Sequence, residues 1–130
     1  MSDQPIVFIS HFAVKPGHVE ALRAMWAEMM PLLEASKPAT TAQLGYLSED
    51  GSRLSIVHVF PDARALAQHF LGSDERAGAV YEHIAPERWE VYGSPDEANL
   101  AGLGREAGAA GIPLTVLPEW LGGFLRTASS

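Results

Sequence analysis

The chain opens on residues that are apolar on both faces of a strand. Ile6-Val7-Phe8-Ile9-Ser10-His11-Phe12-Ala13-Val14 carries almost no alternation at its start, the pattern of a strand covered on two sides. Lys15-Pro16-Gly17-His18 predicts a turn. The period then changes. Over residues 19–36, Val19, Leu22, Met25, Trp26, Met29, Met30 and Leu33 recur at helical spacing, while Glu20, Arg23, Glu28 and Glu34 lie away from that stripe. Pro31 removes one backbone donor and predicts a kink or a split there. A Met/Trp stripe is what core packing requires, and methionine also suits a pocket wall that must adapt its shape.

Residues 40–48 predict a second strand, Asp50-Gly51 a hairpin turn, and residues 53–60 the returning strand. Pro61-Asp62 stops that strand, and Asp62 caps a helix over residues 63–71 that breaks at Gly72. Ser73 is expected to cap a second piece, with Asp74 and Glu75 in its first turn, a stripe of Ala77, Val80, Tyr81 and Ile84, and Pro86 as its end. Residues 88–93 alternate as a fourth strand. Ser94-Pro95-Asp96-Glu97 reads as a capping box with proline at the first helical position, opening a short Ala/Gly-rich helix that ends in Gly108-Ala109-Ala110-Gly111. Residues 112–117 and 122–126 are expected to be extended, and residues 127–130 to fray.

The order β-α-β-β-α-β predicts an α+β, ferredoxin-like antiparallel sheet with two helices on one face. Residues 1–93 form that unit, and residues 94–130 are a C-terminal helix-strand extension of the same domain. Two helices cover one face only, yet residues 6–9 and 54–60 are apolar on both. A second copy of the sheet would cover the other face, so a homodimer is expected.

Composition narrows the function classes. The chain has 130 residues, 47% hydrophobic and 19% charged, which suits one globular domain. A net charge of −7, with Lys15 and Lys37 the only lysines and the arginines scattered, argues against nucleic acid and anionic membrane surfaces as partners. There is no cysteine, hence no disulfide framework and no thiolate chemistry. No signal-peptide pattern and no membrane-length apolar run is present, and a cytoplasmic location is the expectation.

The candidate chemistry is imidazole. His58 lies within an apolar strand and His69 beside Leu66 and Phe70 on the next helix, so both flank one strand-to-helix seam. A neutral imidazole near pH 7 can accept a proton from a phenol, and a second can hydrogen-bond the resulting oxyanion. His11, Trp26, Tyr46, Phe70 and Tyr81 are the further candidates for lining a ligand pocket. His18 is expected to be solvated, and His83 to favour charge near a helix C-terminus. No two histidines have the spacing of a compact metal motif, Gly102-x-Gly104-x-x-x-Gly108 has the wrong spacing and no lysine for a phosphate loop, and no serine elbow occurs.

These residues together resemble the antibiotic biosynthesis monooxygenase family of the dimeric α/β-barrel superfamily. The likeness rests on Val14-Lys15-Pro16-Gly17 followed by an amphipathic helix, then on Val57-His58-Val59-Phe60 and Ala65-Leu66-Ala67-Gln68-His69, and it spans roughly residues 5–93. The family often has an acidic residue where His58 stands; His69 matches its histidine. The resemblance implies a cofactor-independent monooxygenase, with neither metal nor flavin, acting on a small phenol- or quinol-type aromatic. A non-catalytic small-molecule-binding or regulatory barrel, and more distantly a haem-binding relative, are the alternatives. For haem, Ser10 or His11 and His83 would stand near the family positions.

Overall fold

The structure, a computed structural model, describes residues 4–126; the side chains of Asp74 and Glu75, and the end 127–130 read as frayed, lie outside the described residues. Strand β1 (Ile6–Val14) alternates strictly, burying Ile6, Phe8, Ser10, Phe12 and Val14 and leaving Val7, Ile9, His11 and Ala13 half-buried. Helix α1 (Val19–Ser36) buries Leu22 and Leu33 and packs Val19, Met25, Trp26 and Met29 against the sheet. Pro31 does not split it: the proline is exposed, one backbone bond is forgone, and the helix runs on to Ser36.

The hairpin of β2 (Ala42–Leu47) and β3 (Arg53–Phe60) turns where Asp50-Gly51 predicted. Gly51 takes φ +74°, a conformation that glycine adopts without strain, and Asp50 Oδ1 accepts the Ser52 amide and the Ser48 and Ser52 hydroxyls. This turn sets the register that pairs Leu47 with Leu54 and Gln43 with His58. Asp62 caps α2 (Ala63–Phe70), accepting from the Ala65 amide at 2.9 Å.

Four sequence expectations are corrected beyond this point. Helix α3 (Ser73–Val80) is capped by Gly72 in the left-handed region, without a side-chain cap from Ser73. It ends before Ile84, which instead starts β4 (Ile84–Tyr92), so Pro86 lies inside a strand. The register shifts there: Phe12 pairs with Pro86 but His11 with Arg88, and such an irregularity is where a sheet accepts proline. Helix α4 (Glu97–Ala110) is capped by Asp96, whose Oδ1 accepts the Asn99 amide at 2.8 Å; the Ser94 hydroxyl donates to the Pro118 carbonyl instead. Only Leu114–Leu117 of the C-terminal stretch forms a strand, β5, and residues 118–126 have no regular structure.

The sheet order is β2-β3-β1-β4-β5, antiparallel except for β5, which runs parallel to β4. The parallel pair needs a crossover, and α4 is that crossover. This is the α+β ferredoxin-like fold with the αβ extension built into the same sheet. Helix residues Leu22, Leu66, Val80 and Leu103 all pack on the row formed by Phe8, Phe12, Ile56, Phe60 and Val91, so all four helices cover one face. Two apolar clusters divide this layer. One contains Phe8, Phe60, Leu66, Trp89 and Leu103; the other contains Phe12, Leu22, Leu54, Ile56 and Val80.

Candidate functional site

A cavity of about 160 Å³ lies between the two clusters, walled by Phe8, Trp89 and Leu103 from one and Phe12, Ile56 and Val80 from the other. Trp26 and Met29 from α1 close another side. Trp26 reaches this position because β2 has glycine at 45: a Cβ there would stand 2.5 Å from the indole. The polar residues in its lining are Ser10, Gln43, His58, His69, Ser73, Arg76, Tyr81 and Glu106.

His58 shares its face of β3 with Leu54, Ile56 and Phe60, all buried. Its Nδ1 donates to the Phe8 carbonyl at 3.0 Å, so the neutral ring carries its lone pair on Nε2. The ring stacks on Phe8, with centroids 5.1 Å apart. Burial pushes the His58 imidazole down to about 4, against which the Phe8 hydrogen bond acts only partly. His69, in the last turn of α2, is buried with its Nδ1 2.7 Å from the Thr40 hydroxyl. Burial, then the neighbouring His58, Arg76 and Lys37, push it down to about 3. The two imidazoles lie edge to face, centroids 5.5 Å apart, and both are neutral at pH 7.

The two cations beside His69 hold up the end of its helix. Arg76 donates to the His69 and Leu71 carbonyls, and Lys37 Nζ to the Gln68 and Leu71 carbonyls, completing acceptors that a helix C-terminus leaves open. Burial also lowers the Arg76 pKa, and its guanidinium remains the charged group closest in function to an anion holder among the cavity residues.

Of the candidates read from sequence, His58, His69, Trp26, Phe70 and Tyr81 come together around this cavity. His11 and Tyr46 do not: strand parity puts both on the opposite face of the sheet. There His11 Nε2 donates to Glu90 at 3.0 Å, its Nδ1 lies 2.8 Å from the Ser55 hydroxyl, and Tyr46 is 60% exposed. His18 is not simply solvated. It faces His83 in the α3–β4 turn, with Nδ1 atoms 3.0 Å apart, outside the cavity. Arg76, Gln43, Trp89 and Glu106 escaped the sequence reading. Gln43 was legible in principle, since the Asp50-Gly51 hairpin pairs it with His58.

His83, the nearest counterpart to a haem ligand, is engaged with His18 and does not line the cavity.

No protein-family model and no curated protein matches the chain. Solved structures do. MupZ from Pseudomonas fluorescens superposes with a TM-score of 0.70 at 17% identity, covering 95% of each chain. SnoaB, a cofactor-independent oxygenase from Streptomyces nogalater, matches as its N63A mutant with a TM-score of 0.58 at 16% identity, over 72% of this chain and 95% of that one. A structure assigned to the antibiotic biosynthesis monooxygenases, from Chloroflexus aurantiacus, matches with a TM-score of 0.55 at 14% identity, over 68% and 90% of the two chains. The likeness read from the short motifs around His58 and His69 is therefore carried by the whole sheet: the chain folds as the antibiotic biosynthesis monooxygenases do.

Proposed function

We propose that the protein is a cofactor-independent monooxygenase of this family, acting on a small phenol- or quinol-type aromatic in the cavity beside His58 and His69. The observation that carries the reading is the pair of neutral imidazoles, 5.5 Å apart, in an aromatic-walled cavity. The substrate supplies the electrons: its anion passes one to dioxygen, one oxygen atom enters the ring, and the other leaves as water with the substrate's two hydrogens. The protein binds, accepts a proton and steadies the anion.

Magnitude limits which substrates suit. A phenol titrates near 10, and an imidazole at about 3 in the empty cavity is a poor base for it. A bound phenolate would place a negative charge against the imidazole, which raises its proton affinity. Arg76 would favour the anion further. The cavity thus favours acidic, conjugated phenols over simple ones. His69, its Nδ1 held 2.7 Å from the Thr40 hydroxyl, is the base, and His58 is the neutral imidazole packed against it.

The same reading includes a face-to-face homodimer. Val7, Ile9, Val57 and Val59 form an apolar row on the face that no helix covers. Oxygen uptake with a panel of quinols of graded acidity tests the activity: uptake that rises with substrate acidity supports it. Binding of the same compounds without oxygen consumption would favour a barrel that only binds.

A further inference from the structure

Two histidines lie outside the cavity and outside the chemistry proposed for it. His18 precedes α1 and His83 lies in the turn between α3 and β4, 65 residues later in the chain. Their Nδ1 atoms stand 3.0 Å apart and their ring centroids 5.2 Å apart. The imidazole contact is not what holds this turn. The main chain does that: the Lys15 amide donates to the His83 carbonyl at 2.8 Å, the His83 amide to the Val80 carbonyl at 2.9 Å, and the His18 amide to the Lys15 carbonyl at 3.0 Å. Lys15 Nζ adds a bond to the Tyr81 carbonyl at 2.9 Å. His18 also occupies the N-cap of α1, yet its side chain makes no capping bond. Backbones fixed in this way bring two imidazole nitrogens to one point in advance, which is what a chelate requires.

Geometry selects the ion. Two nitrogens bound at about 2.0–2.1 Å stand about 2.9 Å apart at neighbouring corners of a square plane and about 3.3 Å apart in a tetrahedron. The observed 3.0 Å matches the first. Imidazole suits late first-row divalent metals, and Cu²⁺ combines a preference for the tetragonal arrangement with the tightest binding of that series. The ring that donates through Nδ1 in the hydrogen-bonded pair needs only to carry that proton on Nε2 instead. The net charge of −7 favours the approach of a cation. Among the described residues no third histidine, aspartate or glutamate joins the pair, so water takes the remaining positions and the ion exchanges.

We propose that His18 and His83 form a two-histidine site for a tetragonal divalent cation, Cu²⁺ above all. The ion ties the start of α1 to the end of α3, the helices whose Trp26 and Val80 wall the cavity. No step of the oxygenase reading uses it.

The test is titration of the full chain with Cu²⁺. One ion per chain should bind, with two imidazole nitrogens resolved by pulsed electron paramagnetic resonance. His18→Gln and His83→Gln each keep an amide that can hydrogen-bond the remaining ring. Each should weaken binding by no less than the roughly 10- to 100-fold lost with an outer-sphere partner, and leave one nitrogen. His11→Gln, on the far face of the sheet, should change neither affinity nor nitrogen count. Two-nitrogen binding that survives loss of His18 or His83, or that disappears with His11, would overturn the site. A second measurement needs no variant: substoichiometric Cu²⁺ should broaden the ring resonances of His18 and His83 before those of the other histidines, and broadening that begins elsewhere overturns it too. Neither measurement involves oxygen uptake, so the outcome is separate from that of the quinol experiment.

Discussion

The sheet has two faces, each with a histidine on an apolar strand, and the two histidines have opposite fates. His58 shares its face with Leu54, Ile56 and Phe60, beneath four helices. It has a backbone carbonyl as partner, two aromatic rings beside it, and a pKa pushed down to about 4. His11 shares its face with Val7, Ile9 and Ala13, where no helix lies. It is held between a serine hydroxyl and the Glu90 carboxylate, and Arg88 approaches the same carboxylate at 3.9 Å. Strand parity alone separates them. On the helix-covered face an imidazole is desolvated and can serve as a neutral acceptor; on the open face it is one member of a polar cluster set among valines and isoleucines. The first arrangement suits ligand chemistry, and the second suits an interface that needs a fixed orientation.

The sharpest way to break this comparison is by rate. His69→Ala should cost about 10²–10⁴-fold in kcat/KM for any quinol found to turn over, the usual loss for a positioned general base. His11→Ala, on the far face, should leave the rate within about twofold. Comparable losses from both substitutions would mean that the face an imidazole occupies does not decide its role.

Stability against pH comes next. In the unfolded chain both cavity histidines titrate near 6.5, while in the folded chain they sit at about 4 and about 3. As pH falls from 6.5 toward 4, the unfolded chain binds protons that the folded chain refuses. Folding stability is therefore fully present above pH 6.5 and is lost through this window, by at most about 1.4 kcal/mol per pH unit for each histidine. The His69 share is smaller, because its ring borders the open cavity. His58→Gln keeps a donor for the Phe8 carbonyl and removes one titrating group. Denaturant unfolding from pH 7 to 4 should show a shallower slope for this variant. An unchanged slope would mean that burial of His58 does not govern its charge.

The open face is tested by mass. Light scattering should give about twice the 14.0 kDa chain mass. Ile9→Asp places a carboxylate on the central strand of that face, beside Glu90, and should yield monomers. Monomeric wild-type protein would leave the apolar row of Val7, Ile9, Val57 and Val59 without the cover proposed for it.

Local pattern made most of the strands and α1 legible, because apolar spacing and Pro-Gly or Asp-Gly turns act over a few residues. It misled where a longer-range partner decides. Pro86 reads as a helix end in isolation, but the register shift opposite His11 and Phe12 admits it to a strand. Ser94 and Asp96 are both good caps; the Pro118 carbonyl takes the Ser94 hydroxyl and leaves the helix to Asp96. The site was half legible for the same reason. His58 and His69 are joined by one turn, so their meeting follows from local geometry. Trp89 and Glu106 arrive from β4 and α4, and no spacing in the sequence brings them to β3. His11 and Tyr46 needed strand parity, which short apolar runs do not reveal.

The smallest effect concerns a residue with no side chain. Gly45 lies on the helix-covered side of β2, opposite Ile56, and Trp26 crosses its Cα. Alanine there would place Cβ 2.5 Å and 2.8 Å from two indole carbons, far inside contact distance. The indole is the far end of a side chain and can swing, so the strand need not break. Overpacking of this kind typically costs about 1–3 kcal/mol, and Gly45→Ala should lose an amount in that range by denaturant unfolding. Because Trp26 is a cavity wall, the same substitution should also change the affinity for 2-naphthol, whereas Gly78→Ala, in open space on α3, should leave that affinity unchanged and raise stability by up to about 1 kcal/mol. If Gly45→Ala lowers stability without altering binding, Trp26 packs the core but does not shape the cavity, and the wall must be redrawn from Phe8, Phe70 and Trp89.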